Sequence, residues 1–153
     1  MLERYKKVQD GVMKMVLLLE SSPLSKQKKI LEVGLKEDPA FMNNVLTDII
    51  TWDDVVTLDG LQLGELLFAA KANVIAIALY GQPKELVEKF LKACKQDKMG
   101  LVKDGIEYPK STEPAVINTA RMELMKNYRA LVVTKKIPQP KHNPEEIKKK
   151  MGL

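Results

Sequence analysis

The chain has 153 residues, 45% of them hydrophobic and only 5% aromatic, with one cysteine and a net charge of +5. That length suits one domain, or two small helical subdomains sharing a core, filled mainly by Leu, Ile, Val, Ala and Met. The lone Cys94 excludes an internal disulfide and a cysteine-rich zinc site, and a reducing, cytoplasmic setting is expected.

Residues 2–20 place Tyr5, Val8, Val12, Met15, Val16 and Leu19 at helical spacing, which predicts one amphipathic helix that Gly11 weakens without breaking. The apolar run from Val16 to Leu19 is too short, and wrongly flanked, for a signal-peptide core. No stretch approaches the roughly 20 apolar residues of a membrane span. Ser22 reads as an N-cap with Pro23 at the first helical position, opening a helix over about 23–37 that buries Leu24, Ile30, Leu31, Val33 and Leu35. Asp38-Pro39 ends it and starts another, about 39–50, with Phe41, Met42, Val45, Leu46, Ile49 and Ile50 inward.

The stretch from Ile49 to Gly81 is the organising one. It opens with an apolar turn carrying the only tryptophan, Trp52, beside Asp53 and Asp54. Leu58-Asp59-Gly60 then starts a helix with Leu61, Leu63, Leu66, Leu67 and Ala70. A second, nearly all-apolar helix, Val74 to Leu79, stops at Gly81. A helix apolar on every side must be wrapped by others, so this one is expected at the centre.

Gln82-Pro83 opens a helix of about 83–96 with Leu86, Val87, Phe90, Leu91 and Cys94 inward. Glu85 and Lys89 lie one turn apart in the favourable order, and Lys92, Lys95 and Lys98 crowd its far end, where cations suit the helix dipole. A short helix from Asp97 to Val102 precedes a loop, Asp104 to Thr112, holding Gly105 and Pro109. Thr112 is expected to cap a long helix from Glu113 or Pro114 to about Val133, striped by Val116, Ala120, Leu124, Tyr128 and Leu131. Beyond Pro138 and Pro140, Asn143-Pro144-Glu145-Glu146 caps a last lysine-rich helix. From Thr134 onward six lysines face two glutamates, a net +4 that leaves the body at +1. The basic excess therefore sits in a tail, and a dedicated nucleic-acid fold is not expected.

No segment alternates as a strand does. The reading is all-α, an armadillo-like right-handed superhelical stack of short helices rather than a simple four-helix bundle. Three parts are expected: N-terminal helices as a small subdomain over 1–50, a helical domain over 51–137, and a basic tail over 138–153.

Little in this pattern is chemistry. Asp53 and Asp54 are adjacent and diverge, unlike an acid/base pair. His142 stands alone in the tail, Cys94 falls on an apolar stripe, and the glycines form no phosphate loop, so no catalytic, cofactor or metal residues are expected. Two stretches are candidates for contact. Ile49, Ile50 and Trp52 form either a hinge or a packed turn whose carboxylates cap the next helix. Lys92, Lys95, Asp97, Lys98, Lys103, Asp104 and Glu113 form either a charged partner-docking band or an ordinary solvated surface.

From Ile49 to about Ile137 the order of signals resembles the C-terminal domain of the FliG flagellar motor switch family. Ile49-Ile50-Thr51-Trp52-Asp53-Asp54 echoes its Met-Phe-X-Phe hinge followed by acidic residues, and Leu58-Asp59-Gly60 its Leu-Asp-Asp helix start. Ala78-Leu79-Tyr80-Gly81 echoes an Ala-Leu-Lys-Gly helix end, and Glu88-Lys89-Phe90 a Glu-Lys-Phe helix. Residues 29–48, with the Glu37-Asp38-Pro39 turn, are similar to the small subdomain before the hinge. No counterpart of the family's ring-binding domain or of its Glu-His-Pro-Gln motif is evident.

The resemblance implies a cytoplasmic rotor protein, peripheral at the inner face of the inner membrane, without catalytic activity or cofactor. Its partners would be flagellar rotor, switch or stator components, with self-association by helical stacking. The family's stator-facing charges are changed here. Tyr80 stands where the family has lysine, Asp97 and Glu113 where it has arginines, and Asp104-Gly105 where it has an acidic pair. A divergent torque surface follows from these changes. The alternative is a helical adaptor whose basic tail binds an anionic partner, nucleic acid or acidic lipid.

Overall fold

In the computed structural model, which describes residues 1–153, eleven α-helices form and no strand. The first expected helix is split in two: α1 (Glu3–Lys6) and α2 (Gly11–Glu20). Asp10 between them takes the left-handed conformation at φ 58°. A Cβ on Gly11 would lie 1.7 Å from the Tyr5 carbonyl oxygen. The glycine thus admits the backbone of α1 onto the start of α2, and Val8, expected inward, is left exposed on the connection.

Helix α3 (Leu24–Glu37) has Pro23, not Ser22, at its N-cap. Ser22 instead donates its hydroxyl to the Leu18 carbonyl at 2.7 Å, closing the end of α2. The buried line of α3 runs through Gln27, Leu31 and Gly34, so Leu24 and Val33 are exposed, contrary to expectation. Gln27 can be buried because its amide donates to the Leu19 and Ser22 carbonyls at 2.7 and 3.0 Å. Helix α4 (Pro39–Asp48) starts as expected, with Asp38 accepting the Phe41 N–H at 3.1 Å. Asp38 also pairs with Lys6 at 2.6 Å, and that hydrogen bond holds its carboxyl below the usual range and the Lys6 ammonium above it.

Thr51 and Asp54 cap α5 (Trp52–Val56) reciprocally, each side chain accepting from the other's backbone N–H. Asp59 caps α6 (Gly60–Phe68), accepting from the Gln62 N–H at 2.8 Å. Helix α7 (Ala72–Ala78) ends near Gly81, whose φ of 74° suits a residue without a Cβ. Then come α8 (Lys84–Ala93), α9 (Gln96–Glu107) and α10 (Pro114–Val133). Helix α7 is central to residues 51–138, packed against α9 and α10. It is not sheathed all round, because Val74 and Ile77 are only half-buried.

Helix α9 is longer than expected because Gly105 belongs to it. A Cβ there would lie 2.6 Å from Ala76 Cβ, so the glycine serves close packing of α9 on α7 rather than a loop. Glu113, not Thr112, is the N-cap of α10, without a side-chain cap bond. The buried line of α10 is Ile117, Ala120, Leu124 and Tyr128, and Val116 faces out.

The last helix, α11 (Pro144–Lys150), is capped by Asn143, whose side-chain oxygen accepts the Glu145 N–H at 2.9 Å. The segment leading to it is tied down: Gln139 donates to the Asp48 carbonyl and the His142 N–H to that of Thr47, both at 2.9 Å. Ile147 enters a core with Leu2, Met15, Val16, Leu19, Leu31, Met42, Val45, Leu46 and Ile49. Residues 139–153 are therefore grouped with 1–50 in one unit, and residues 51–138 form the other.

Candidate protein-interaction surface

Trp52 is the anchor of a polar and aromatic cluster. Its indole N–H donates to Gln82 Oε1 at 3.3 Å, and its ring lies 6.1 Å from that of Phe90 at a tilt of 38°. The Arg121 guanidinium sits 5.2 Å above the Trp52 ring. Arg121 Nε donates to the Ala78 carbonyl at 2.9 Å, and a terminal nitrogen donates to that of Tyr80 at 3.1 Å. The guanidinium thus satisfies carbonyls at the open end of α7, and partial burial pushes its pKa down. Ile49 and Ile50 are buried, the Ile50 N–H donates to the Glu20 carboxylate at 2.9 Å, and the division between the two units falls just after Ile50.

The charged band does not act as one group. Lys98 is engaged internally: its ammonium donates to the carbonyls of Leu67, Phe68 and Ala70 at 3.0, 3.0 and 2.8 Å, closing the end of α6 rather than of α8. Lys89 likewise donates to the Val56 carbonyl at 2.7 Å rather than pairing with Glu85. The Lys95 ammonium lies 4.6 Å above the Phe68 ring. Lys92, Asp97, Lys103, Asp104 and Glu113 are exposed. Cys94 is half-buried and its thiol pKa is pushed up by desolvation, the behaviour of a small apolar residue.

Two apolar features beside these charges were not legible in the sequence. Helix α6 exposes Leu61 and Phe68, at 86% and 66%. Helix α9 presents Asp97, Leu101, Asp104 and Tyr108 at successive turns, with Leu101 63% and Tyr108 74% exposed. Under that ridge a groove of about 480 Å³ is floored by Ala72, Ala76, Ile77 and Gly105. Ile77 also borders a second depression with Val116 and Glu123. A leucine in a helix reads as core by default. The available signal was positional: Leu101 lies beside, not on, the line that buries Val102.

No three His, Cys, Asp or Glu side chains converge as a metal site, and no helix is long and apolar enough to cross a membrane. The arrangement offers apolar ridges rimmed by charge, which is the makeup of a contact surface.

Comparison with known proteins agrees. The profile of the FliG C-terminal domain matches residues 35–138, more than half the chain. The chain belongs to the FliG C-terminal domain family. A curated relative, the flagellar motor switch protein FliG of Thermotoga maritima, is 24% identical over 121 residues, covering 79% of this chain and 36% of that protein. The chain thus spans about a third of that relative's length. A crystal structure of FliG residues 86–343 from H. pylori aligns with a TM-score of 0.64 at 18% identity, covering 90% of this chain and 65% of that one. A second H. pylori FliG structure gives a TM-score of 0.57 over 81% of this chain and 55% of that one. The fold is therefore all-α and armadillo-like, as the order of its hinge, cap and helix-end motifs implied.

Proposed function

We propose that this FliG-family chain is a non-catalytic interaction module of the flagellar rotor whose stator-facing surface has been re-specified from basic to acidic and apolar. It works in the cytoplasm, at the inner face of the inner membrane, among rotor, switch and stator components. The observation that carries the reading is the state of the changed positions. Asp97 and Glu113, which stand where the family has arginine, are exposed, as is Asp104, the acidic residue kept from the family's pair. None of the three carboxylates makes an ion pair within the chain, whereas Lys98 and Lys89 are engaged in closing helix ends. Tyr80 is exposed as well, at the end of α7. Free carboxylates flanking Leu101 and Tyr108 favour a partner that presents cations around an apolar patch, and they repel one built for arginines. A boundary just after Ile50 and the hinge role of Ile49, Ile50 and Trp52 are part of this reading, supported by the burial of both isoleucines beside that boundary.

The test is recovery of rotor, switch and stator components by the tagged chain, together with its position in the cell. The wild type should concentrate at flagellar bases and recover at least one motor component. Replacing Asp97 and Asp104 by lysine should weaken that recovery about tenfold or more, since each reversed charge at a docked surface costs on the order of 1 kcal/mol. A diffuse distribution with no motor partner would count decisively against the proposal.

A further inference from the structure

The first three lysines of α3 are placed against the needs of the helix itself. Lys26, Lys28 and Lys29 lie in its first two turns, where the dipole disfavours cations, and its first turn has no acidic residue. None of the three makes an ion pair or hydrogen bond within the chain, and the nearest acid on the helix, Glu32, is a full turn onward. Local consistency would place carboxylates here, so folding does not explain the choice.

A second element adds charge at the same place. Gly152, in the turn that ends α11, is close enough to α3 that a side-chain carbon there would lie 3.9 Å from the Lys28 ammonium. That brings Lys149, exposed and unpaired in the last turn of α11, to the same end of the unit. Lys148 is partly drawn off by Glu145 at 2.9 Å. Leu24 sits one turn before Lys28 on the same side of α3 and is 48% exposed. The basic residues here are all lysine, with no arginine and no exposed aromatic ring among them.

We propose that the end of the unit formed by the start of α3 and the end of α11 docks on an anionic lipid bilayer, with Lys26, Lys28, Lys29 and Lys149 at the headgroups and Leu24 in the interface. Lysine point charges around one exposed leucine suit a diffuse negative surface with an apolar layer beneath it. A nucleic-acid surface would call for arginine forks and aromatic stacking, neither of which is present. The basic character noted for the C-terminal segment thus belongs to a face shared by two helices, not to a free tail.

The full-length chain, incubated with sedimented vesicles, gives the test. It should bind vesicles of phosphatidylcholine mixed with phosphatidylglycerol, not phosphatidylcholine alone, and binding should fall steeply with added salt. Each lysine replaced by glutamine should weaken binding about fivefold, so that the quadruple variant at 26, 28, 29 and 149 loses it. A control variant with Lys71, Lys84, Lys110 and Lys126 replaced by glutamine removes the same charge from residues 51–138 and should keep most of the binding. Leu24→Gln should weaken binding severalfold without changing the helical circular dichroism. The proposal is overturned by absence of binding to anionic vesicles, by equal loss in the control variant, or by a Leu24→Gln chain that binds as well as wild type. Tighter binding to duplex DNA or to polyglutamate than to anionic vesicles, through the same four lysines, overturns it as well.

Discussion

Arg121 joins three parts of the chain through one planar group. It serves two carbonyls at the end of α7 and covers the Trp52 ring. Arg121→Met keeps most of the aliphatic contact but leaves both carbonyls and the ring unserved. The expected cost is about 2 kcal/mol, since a hydrogen bond to a charged group contributes roughly 1.5–3 kcal/mol and one of these is solvent-exposed. Arg121→Lys should recover only part, because an ammonium cannot reach two carbonyls and lie flat on a ring together. Urea unfolding followed by Trp52 fluorescence measures both, and a loss under about 0.5 kcal/mol for the methionine variant would contradict this role. Residue chemistry of this kind is only partly legible in a sequence. The caps at Asp38, Asp59 and Asn143 are local, and their types and spacings announced them, whereas the reciprocal cap of Thr51 and Asp54 opens a helix, α5, where only an apolar turn is expected. Ser22 and Thr112 carried the same local signal and do not cap the helices that follow them, because where a helix starts also depends on the contacts made by the element before it. Arg121, Lys98 and Lys89 were invisible as helix-closing groups, since their partners lie 28 to 43 residues away in the chain.

At the scale of the element, α9 carries two glycines with opposite requirements. Nothing lies within 4 Å of a Cβ placed on Gly100, whereas one on Gly105 would lie 2.6 Å from Ala76 Cβ. Gly100→Ala should therefore stabilise the chain by about 0.5–1 kcal/mol, the gain in helix propensity and in unfolded-state entropy. Gly105→Val meets α7 at a distance that real side chains do not tolerate, so the helix must move outward. A loss of about 1–3 kcal/mol is expected from overpacking, with little propensity gain from a β-branched residue. Thermal melts of the two variants should shift in opposite directions, and a destabilised Gly100→Ala chain would show that this part of α9 is not an open helical surface. The two glycines also explain why the reading of this region fell short. Gly100 falls inside the expected helix, whereas Gly105 reads as part of a loop beginning at Asp104. A packing glycine and a turn glycine look alike until the neighbouring helix is in place.

At the scale of the molecule, the chain leaves its first unit after Ile50 and returns to it at Gln139. The return was the least legible feature, because Ile147 is a single buried aliphatic within a run dominated by lysine, and one residue makes no period. The family match also stops at residue 138, so the family pattern says nothing of the segment that follows. Physically, α11 packs on α4 and adds Ile147 to the core that holds Met42, Val45, Leu46 and Ile49. Ile147→Ala should then cost about 2–5 kcal/mol, the range for truncating a buried isoleucine, although the residue lies only six from the end of the sequence. The loss should also be confined: amide exchange at Val16, Val45 and Leu46 should accelerate by the corresponding factor, while Ile75 and Leu124 in the other unit keep their protection. Were α11 merely a solubilising appendage, the substitution would cost less than about 0.5 kcal/mol and leave every one of those amides unchanged.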